Sequence, residues 1–350
     1  MPRPKPREAI ARMAPYKPPT GGRGGLLRLD FNENTIGPSP RVLERLREVT
    51  AGDFLTVYPE YEVARGKMAT FFGVESDQIV FSDGTDEAIH LLLQAFVEPG
   101  EEVLIPWPTF PMYRFYAEAA GAEPVLVHRD PETLDFPTKA LLDRIGPETK
   151  AILIANPNNP TGGAAEPEEL ERVLRAAPEA AVLVDEAYFE FHGETALGWL
   201  AHFDNLFVSR TFSKAWGLAG LRVGCLFSQA ENAEWVRRGQ SPYSLNSAGV
   251  ECALAAIEDR EYVESYVREV VAARAALEAA LDELGVRRWS SDANFVLARF
   301  ADPGLLCRAL RERGVLVRDR THEVPGGVRL GVGTAEQTGR LIAALREVLA

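Results

Sequence analysis

The sequence predicts an α/β fold: a largely parallel sheet covered by helices on both faces, joined to a smaller α+β unit. Three observations carry this. Between residues 78 and 209, short apolar runs bounded by turn residues alternate with amphipathic helical patterns, as in sheets buried on both sides. Beyond Pro242 the alternation gives way to long helices and a late group of strands. The length, 350 residues, suits one large unit and one smaller one.

In chain order, residues 1–30 read as an irregular arm. Prolines at 2, 4, 6, 15, 18 and 19 remove backbone donors, and Gly21, Gly22, Gly24 and Gly25 weaken regular structure. Such an arm orders by lying on another surface, here the smaller unit or a partner subunit. A short strand over 27–31 leads into Asn32-Glu33-Asn34, the turn Gly37-Pro38-Ser39-Pro40 and a helix over 41–50. Tyr58 precedes a proline and is therefore extended. The large unit, 31–241, then runs through strands at 78–81, 103–106, 125–128, 151–155, 182–184 and 206–209, with helices at 84–96, 111–120 and 166–176. The smaller unit, 242–350, has helices at 247–259 and 261–284, strands at 294–300, 315–318 and 328–332, a helix between the first two of these strands, and a closing helix at 335–349.

Composition excludes several function classes. A formal charge of −13 disfavours nucleic acid and acidic membranes as partners. No window reaches the apolar length of a membrane span, and no apolar run follows the basic, proline-rich opening, so no secretory signal is expected. Cys225, Cys252 and Cys307 are widely spaced within apolar segments, which fits core thiols in a reducing, cytoplasmic compartment and no structural metal.

Four stretches carry candidate chemistry. Lys214 lies in Ser209-Arg-Thr-Phe-Ser-Lys-Ala-Trp-Gly217, a hydroxyl-rich turn after an apolar strand, with Arg222 eight residues on. Partial desolvation in such a place favours a nucleophilic free amine. Gly84-Thr85-Asp86 opens a helix, where free N–H groups and the helix dipole favour an anion. With Thr211, Ser213 and Arg222 it would form a phosphate cup if the fold brings the strand ends together. Asn156-Pro-Asn-Asn-Pro-Thr-Gly162 and Asp185-Glu-Ala-Tyr188 also follow strand ends, where ligands bind in open α/β sheets. Singly, each has an ordinary explanation as a cap, a turn or a surface charge. No dinucleotide-binding glycine fingerprint and no Walker-type loop is present.

Together, N-P-N-N-P-T-G, D-E-A-Y, and S-K followed by G-L-R-V-G resemble the fold-type I pyridoxal-phosphate (PLP) aminotransferases, in particular the histidinol-phosphate aminotransferase branch. The resemblance runs from Pro15-Tyr16 to Arg329-Leu-Gly-Val-Gly-Thr334 and implies a seven-stranded-type sheet. It implies that Lys214 bonds to the PLP aldehyde and later moves the substrate's Cα proton, and that Asp185 pairs with the pyridine nitrogen. Tyr188 and Asn159 would bond the ring hydroxyl, and Phe110 would stack on the ring. Thr85, Asp86, Thr211, Ser213 and Arg222 would hold the phosphate, with Tyr58 reaching the cofactor of the partner subunit in a homodimer. On the substrate side the resemblance implies Arg329 for the carboxylate or its equivalent, Asn32 and Glu33 near the substrate, and Tyr16 and Arg318 at the phosphate of histidinol phosphate.

The implied reaction converts L-histidinol phosphate and 2-oxoglutarate into imidazole acetol phosphate and L-glutamate, a step of histidine biosynthesis. Phe110 and Ile36 stand where the family often has tyrosine, leaving a more apolar pocket. An aromatic amino-acid aminotransferase is therefore one alternative, and a threonine-phosphate decarboxylase-like lyase, which shares most of the motifs, is another.

Overall fold

The computed structural model describes residues 3–15, 21–51 and 53–350. Its strands are β1 (Leu27–Arg28), β2 (Ile79–Ser82), β3 (Glu102–Trp107), β4 (Glu123–His128), β5 (Thr149–Ala155), β6 (Ala181–Asp185), β7 (Leu206–Thr211), β8 (Gly224–Phe227), β9 (Phe295–Arg299), β10 (Val315–Leu316), β11 (Arg318–Asp319) and β12 (Gly327–Gly331). Seven of them form one sheet in the order β2-β8-β7-β6-β5-β3-β4. All its pairings are parallel except those of β8, which runs antiparallel to both β2 and β7. The expected largely parallel sheet is present, with β8 and its antiparallel pairings as an addition.

Side chains alternate across this sheet with a period of two. On one face Leu153, Leu183 and Phe207 pack with Ile89, Leu92 and Tyr113. The last three lie on the helices Gly84–Phe96 and Met112–Ala120. On the other face Ile152, Val182, Val184 and Val208 pack with Leu170, Val173, Val263 and Val270. Both faces are covered, so β6 and β7 are buried along their whole length. At 20–33 cal/mol per Å² of apolar surface, this two-sided burial is the main favourable term holding the sheet.

The same alternation sends neighbouring polar residues to opposite sides. Asp185 and Ser209 are register partners and face the layer that contains Tyr113. Glu186 and Arg210 follow them on the opposite face and pair there, Arg210 Nε donating to Glu186 Oε2 at 2.7 Å. That pair is almost completely buried, and Glu186 also accepts from Thr195 Oγ1 and from the Ala196 amide.

A three-stranded antiparallel sheet, β11-β12-β9, lies in the C-terminal part of the chain. The strand expected over 315–318 is two short strands that change partners at Val317: β10 pairs with β1, and β11 with β12. The arm touches both parts of the molecule. Helix Glu8–Arg12 lies along Met112–Ala120, with Arg7 Nη2 donating to the Ala120 carbonyl, whereas β1 runs parallel to β10. Among the described residues no helix is long and apolar enough to cross a membrane, and no cluster of metal-ligating side chains occurs.

Replacing Arg210 by methionine leaves the buried Glu186 carboxylate without its counter-charge, and the expected loss is about 3–5 kcal/mol of folding free energy. The double variant Glu186→Gln/Arg210→Met removes both charges and is expected to recover part of it. Urea unfolding midpoints at neutral pH check both, and equal stability of the single variant and the parent would contradict the assignment.

Candidate active site

The carboxyl ends of β5, β6 and β7 open into a cleft of about 160 Å³. Asp185, at the end of β6, lines it and is almost fully buried. Three neutral donors hold its carboxylate: Tyr113 Oη at 2.7 Å from Oδ2, Ser209 Oγ at 2.8 Å from Oδ1, and the Ala187 amide. Burial raises its pKa to about 6, against the pull of these hydrogen bonds. At neutral pH the group is ionised, and among the described residues no cationic side chain pairs with it.

Across the cleft stands Lys214, brought there by the turn after β7. Its Nζ donates to the Phe31 carbonyl at 3.0 Å and lies 5.9 Å from the centre of the Tyr188 ring. The Tyr188 hydroxyl accepts from Asn32 Nδ2 at 3.0 Å, which leaves its own proton free for a ligand. Asn32 itself holds a left-handed backbone, φ 57°, and its carbonyl accepts from Asn294. Phe110 lines the same cleft, and its ring meets Tyr113 edge-on at 5.7 Å.

At one end of the cleft, helix Gly84–Phe96 begins with no side-chain cap on its amides. Thr85 Oγ1 and Asp86 Oδ1 are buried there without hydrogen-bond partners. Arg222 reaches the same point from a left-handed backbone (φ 55°), with Nη2 3.2 Å from Asp86 Oδ2 and 3.3 Å from the Asp83 carbonyl. Thr211 and Ser213 complete the lining. The Thr85 hydroxyl, the free amides of the helix start and the Arg222 guanidinium are donors that suit an anion, whereas the Asp86 carboxylate can only accept and is held by Arg222. Two glycines make the approach possible: a Cβ on Gly84 would lie 2.4 Å from Arg222 Nη2, and one on Gly224 would lie 2.8 Å from the Gly84 carbonyl carbon.

A second cationic wall comes from the three-stranded sheet. Arg318 and Arg329 are directly opposite one another in the β11–β12 register, so their side chains share a face. Like charges in that arrangement repel. Arg320, two residues along, lines the cleft with them. Burial drives the Arg329 guanidinium down to about 9, and the charges of Arg320 and Arg318 add to that shift. Arg329 donates to Asn159 Oδ1 at 2.6 Å and to the Asp30 carbonyl at 2.5 Å, and its Nε has no partner.

The fold therefore brings together Thr85, Asp86, Phe110, Asn159, Asp185, Tyr188, Thr211, Ser213, Lys214, Arg222, Arg318 and Arg329 around one cleft. Other expected residues sit elsewhere. Asn32 does not line the cleft and acts on it through Tyr188; Glu33 does not line it either, and its carboxylate is held by Arg23. Tyr58 is 73% exposed, stacked on Tyr243 and away from the cleft of its own chain. Tyr16 lies outside the described residues. Sequence reasoning did not single out Phe31, Tyr113, Ser209 or Arg320. The period of two on a strand beyond Arg318 was the available signal for Arg320.

These donors fit PLP. An uncapped helix start with Arg222 suits its phosphate, a lone ionised carboxylate suits a cationic ring nitrogen, a tyrosine proton suits its ring hydroxyl, and an amine stands by for its aldehyde.

The family model described as aminotransferase class I and II matches residues 25–345. A Roseobacter denitrificans protein named histidinol-phosphate aminotransferase is 38% identical over 333 residues, covering 93% of this chain and 92% of that one. A Paracoccus denitrificans protein of the same name is also 38% identical, over 94% of this chain and 91% of its own. Among solved structures, histidinol-phosphate aminotransferase from Clostridium acetobutylicum aligns with TM-score 0.85 at 26% identity, covering 93% of this chain and 99% of that one. The fold is also that of the Sinorhizobium meliloti enzyme in complex with pyridoxal-5'-phosphate, with TM-score 0.87 at 24% identity, covering 98% of this chain and 96% of that one.

Gly224→Ala drives a methyl group into the Gly84 backbone and displaces the helix start from Arg222. Overpacking of this kind costs ~1–3 kcal/mol, so a weakening of PLP binding by roughly tenfold or more is expected. Fluorescence titration of the apoprotein reads it, alongside the urea midpoint, and an unchanged dissociation constant would remove the close approach from the account of the site.

Proposed function

The chain belongs to the aminotransferase class I and II family, and from that premise we propose that its cleft moves the amino group of L-histidinol phosphate to 2-oxoglutarate, a step of histidine biosynthesis, with PLP as cofactor. The observation that carries the choice of substrate is the Arg318–Arg329 register pair. Two guanidinium groups directly opposed call for a strongly anionic partner, whereas Arg320 beside them is already paired with Glu323 at 3.1 Å. A phosphate monoester and a dicarboxylate supply that charge, and the side chain of phenylalanine does not. The names of the related proteins point the same way.

When bound, PLP supplies an aldehyde that takes up the amino group and a ring that draws electrons from the substrate's Cα. The rest is done by side chains of this protein. The phosphate is bound by the amides at Thr85 and Asp86, the hydroxyls of Thr211 and Ser213, and Arg222. Asp185 holds a proton at the ring nitrogen, because a buried carboxylate favours a cation on its open side. Tyr188 and Asn159 orient the ring through its hydroxyl, and Phe110 covers one ring face. The Lys214 amine, once free, carries the proton at Cα. Arg329 would grip the substrate's anionic end with its planar guanidinium, which turns the Cα–H bond toward the ring's π system and so favours proton transfer at Cα.

The dimer belongs to the same proposal. Leu55, Val57, Tyr58, Val63 and Tyr243 form a set of exposed apolar side chains, with Tyr58 and Tyr243 stacked at 4.5 Å. Exposed apolar side chains as close together in the chain as Leu55, Val57, Tyr58 and Val63 suit burial against a second copy of it. Tyr58 would then enter the partner's phosphate site.

The decisive experiment is a single-turnover screen. Holoprotein is mixed separately with histidinol phosphate, phenylalanine, tyrosine and threonine phosphate, and the keto product is scored against carbon dioxide. Keto product from histidinol phosphate at the highest efficiency is expected. Loss of Arg318 to alanine is expected to lower kcat/KM for histidinol phosphate by about 10–100-fold, the effect of one charge-assisted contact, while phenylalanine changes little. Equal losses for both, or carbon dioxide from threonine phosphate as the dominant reaction of the screen, overturn the substrate assignment. Complementation checks the shared site: Lys214→Ala and Tyr58→Ala homodimers are each impaired, and mixed subunits are expected to recover activity through one intact site per dimer. No recovery on mixing, with exchange of subunits verified, argues against Tyr58 acting across the interface.

A further inference from the structure

Tyr113 has no role in the reaction as derived above, yet it touches the two side chains that grip the ring's nitrogen and its face. It is fully buried on helix Met112–Ala120. Its hydroxyl donates to Asp185 Oδ2 at 2.7 Å, and its ring stands edge-on to Phe110 with an interplanar angle of 89°. Ser209 occupies the other oxygen of the same carboxylate at 2.8 Å. We infer that Tyr113 is a positioning residue: it fixes the orientation and charge of Asp185 toward the ring nitrogen and, through the same side chain, backs Phe110 against the ring face. This inference rests on the PLP reading above.

The chemistry has a definite sign. A hydroxyl donating to a carboxylate stabilises the ionised form. Burial and the adjoining carboxylate hold the Tyr113 proton well above the ordinary tyrosine range, so Tyr113 stays a donor throughout neutral pH. Removing the donor makes Asp185 a stronger base. The proton shared between the carboxylate and the ring nitrogen then moves toward the carboxylate, and the ring withdraws electrons less strongly. Substrate affinity depends on the arginines and is untouched by this, so the effect falls on kcat more than on KM.

The test uses full-length holoprotein carrying PLP labelled with nitrogen-15 in the ring. Two substitutions separate the two functions: Tyr113→Phe keeps the ring and loses the donor, whereas Tyr113→Gln keeps a donor and loses the ring. For the parent, a ring-nitrogen resonance at the protonated position is expected across neutral pH. For Tyr113→Phe, the resonance is expected to move toward neutral pyridine and kcat to fall by about 10–100-fold with KM within about threefold, the scale of one hydrogen bond to a charged group. For Tyr113→Gln, the protonated resonance is expected to persist while PLP binds several-fold more weakly. The inference is overturned by a protonated resonance in Tyr113→Phe, whatever its turnover, or by a neutral one in Tyr113→Gln, so that either variant decides if the other does not fold. Parent protein that takes up no PLP overturns this inference together with the reading beneath it, whereas normal parent behaviour beside unaffected variants overturns the inference alone.

Discussion

The fold depends on two carboxylates, adjacent in sequence, being buried on opposite faces of one sheet. Asp185 and Glu186 both lose their water, and burial pushes both upward in pKa. Glu186 is compensated inside the protein by the Arg210 guanidinium. Asp185 receives only neutral donors. Hydroxyls and an amide make its ionisation tolerable without cancelling its charge, so its field is directed into the cleft. One acid is thereby structural, and its neighbour creates a demand for a cation at a fixed point.

The opposite wall of the cleft makes the complementary demand. Arg318 faces Arg329 across a two-strand register, and their repulsion is built into the backbone pairing rather than into a chance side-chain conformation. A negative floor under a positive wall suits a ligand set that is cationic at one end and anionic at the other. This is the charge pattern of a protonated pyridine together with an anionic substrate, and it differs from that of a simple anion site.

Much of this was legible in the sequence because the functional side chains follow strand ends, and short apolar runs locate strand ends well. The helix start at Gly84, Asn159, Asp185 and Lys214 all lie within five residues of an expected strand end, and the motifs around them carry the rest. Local patterns did not reveal β8, whose four residues Gly-Cys-Leu-Phe are too few to show a period and whose antiparallel direction depends on a turn at Arg222 in a conformation that side chains other than glycine rarely adopt. Helices Glu62–Phe72 and Ala230–Gly239 also went unassigned; each has only two or three buried positions, so the apolar stripe is thin. Tyr113 reads as one more apolar position on an amphipathic helix. Its function is set by a partner 72 residues away, which no local pattern can report. Glu33 and Asn32 illustrate the converse, since proximity to the cleft in sequence did not put either side chain into it.

What joins the two charged walls is the segment from Leu27 to Asn34. Its first residues pair with β10, the Asp30 carbonyl accepts from Arg329, the Phe31 carbonyl accepts from Lys214, Asn32 donates to Tyr188, and Asn34 donates to the Ala215 carbonyl. The chain can meet so many groups in so few residues only because Asn32 turns through the left-handed region, which asparagine tolerates better than most residues with a side chain. The contacts use carbonyl oxygens and amides and add no net charge between floor and wall. A carboxylate reaching into the same position would neutralise Arg329 or Lys214 and remove the reason for either to bind a ligand. The segment's two acids, Asp30 and Glu33, are instead drawn aside by Arg23. The salt bridge from Arg23 to Glu33 and Asp30 thus has a consequence beyond its modest stabilising energy: it keeps the segment's own negative charge out of a cleft whose cations must remain available.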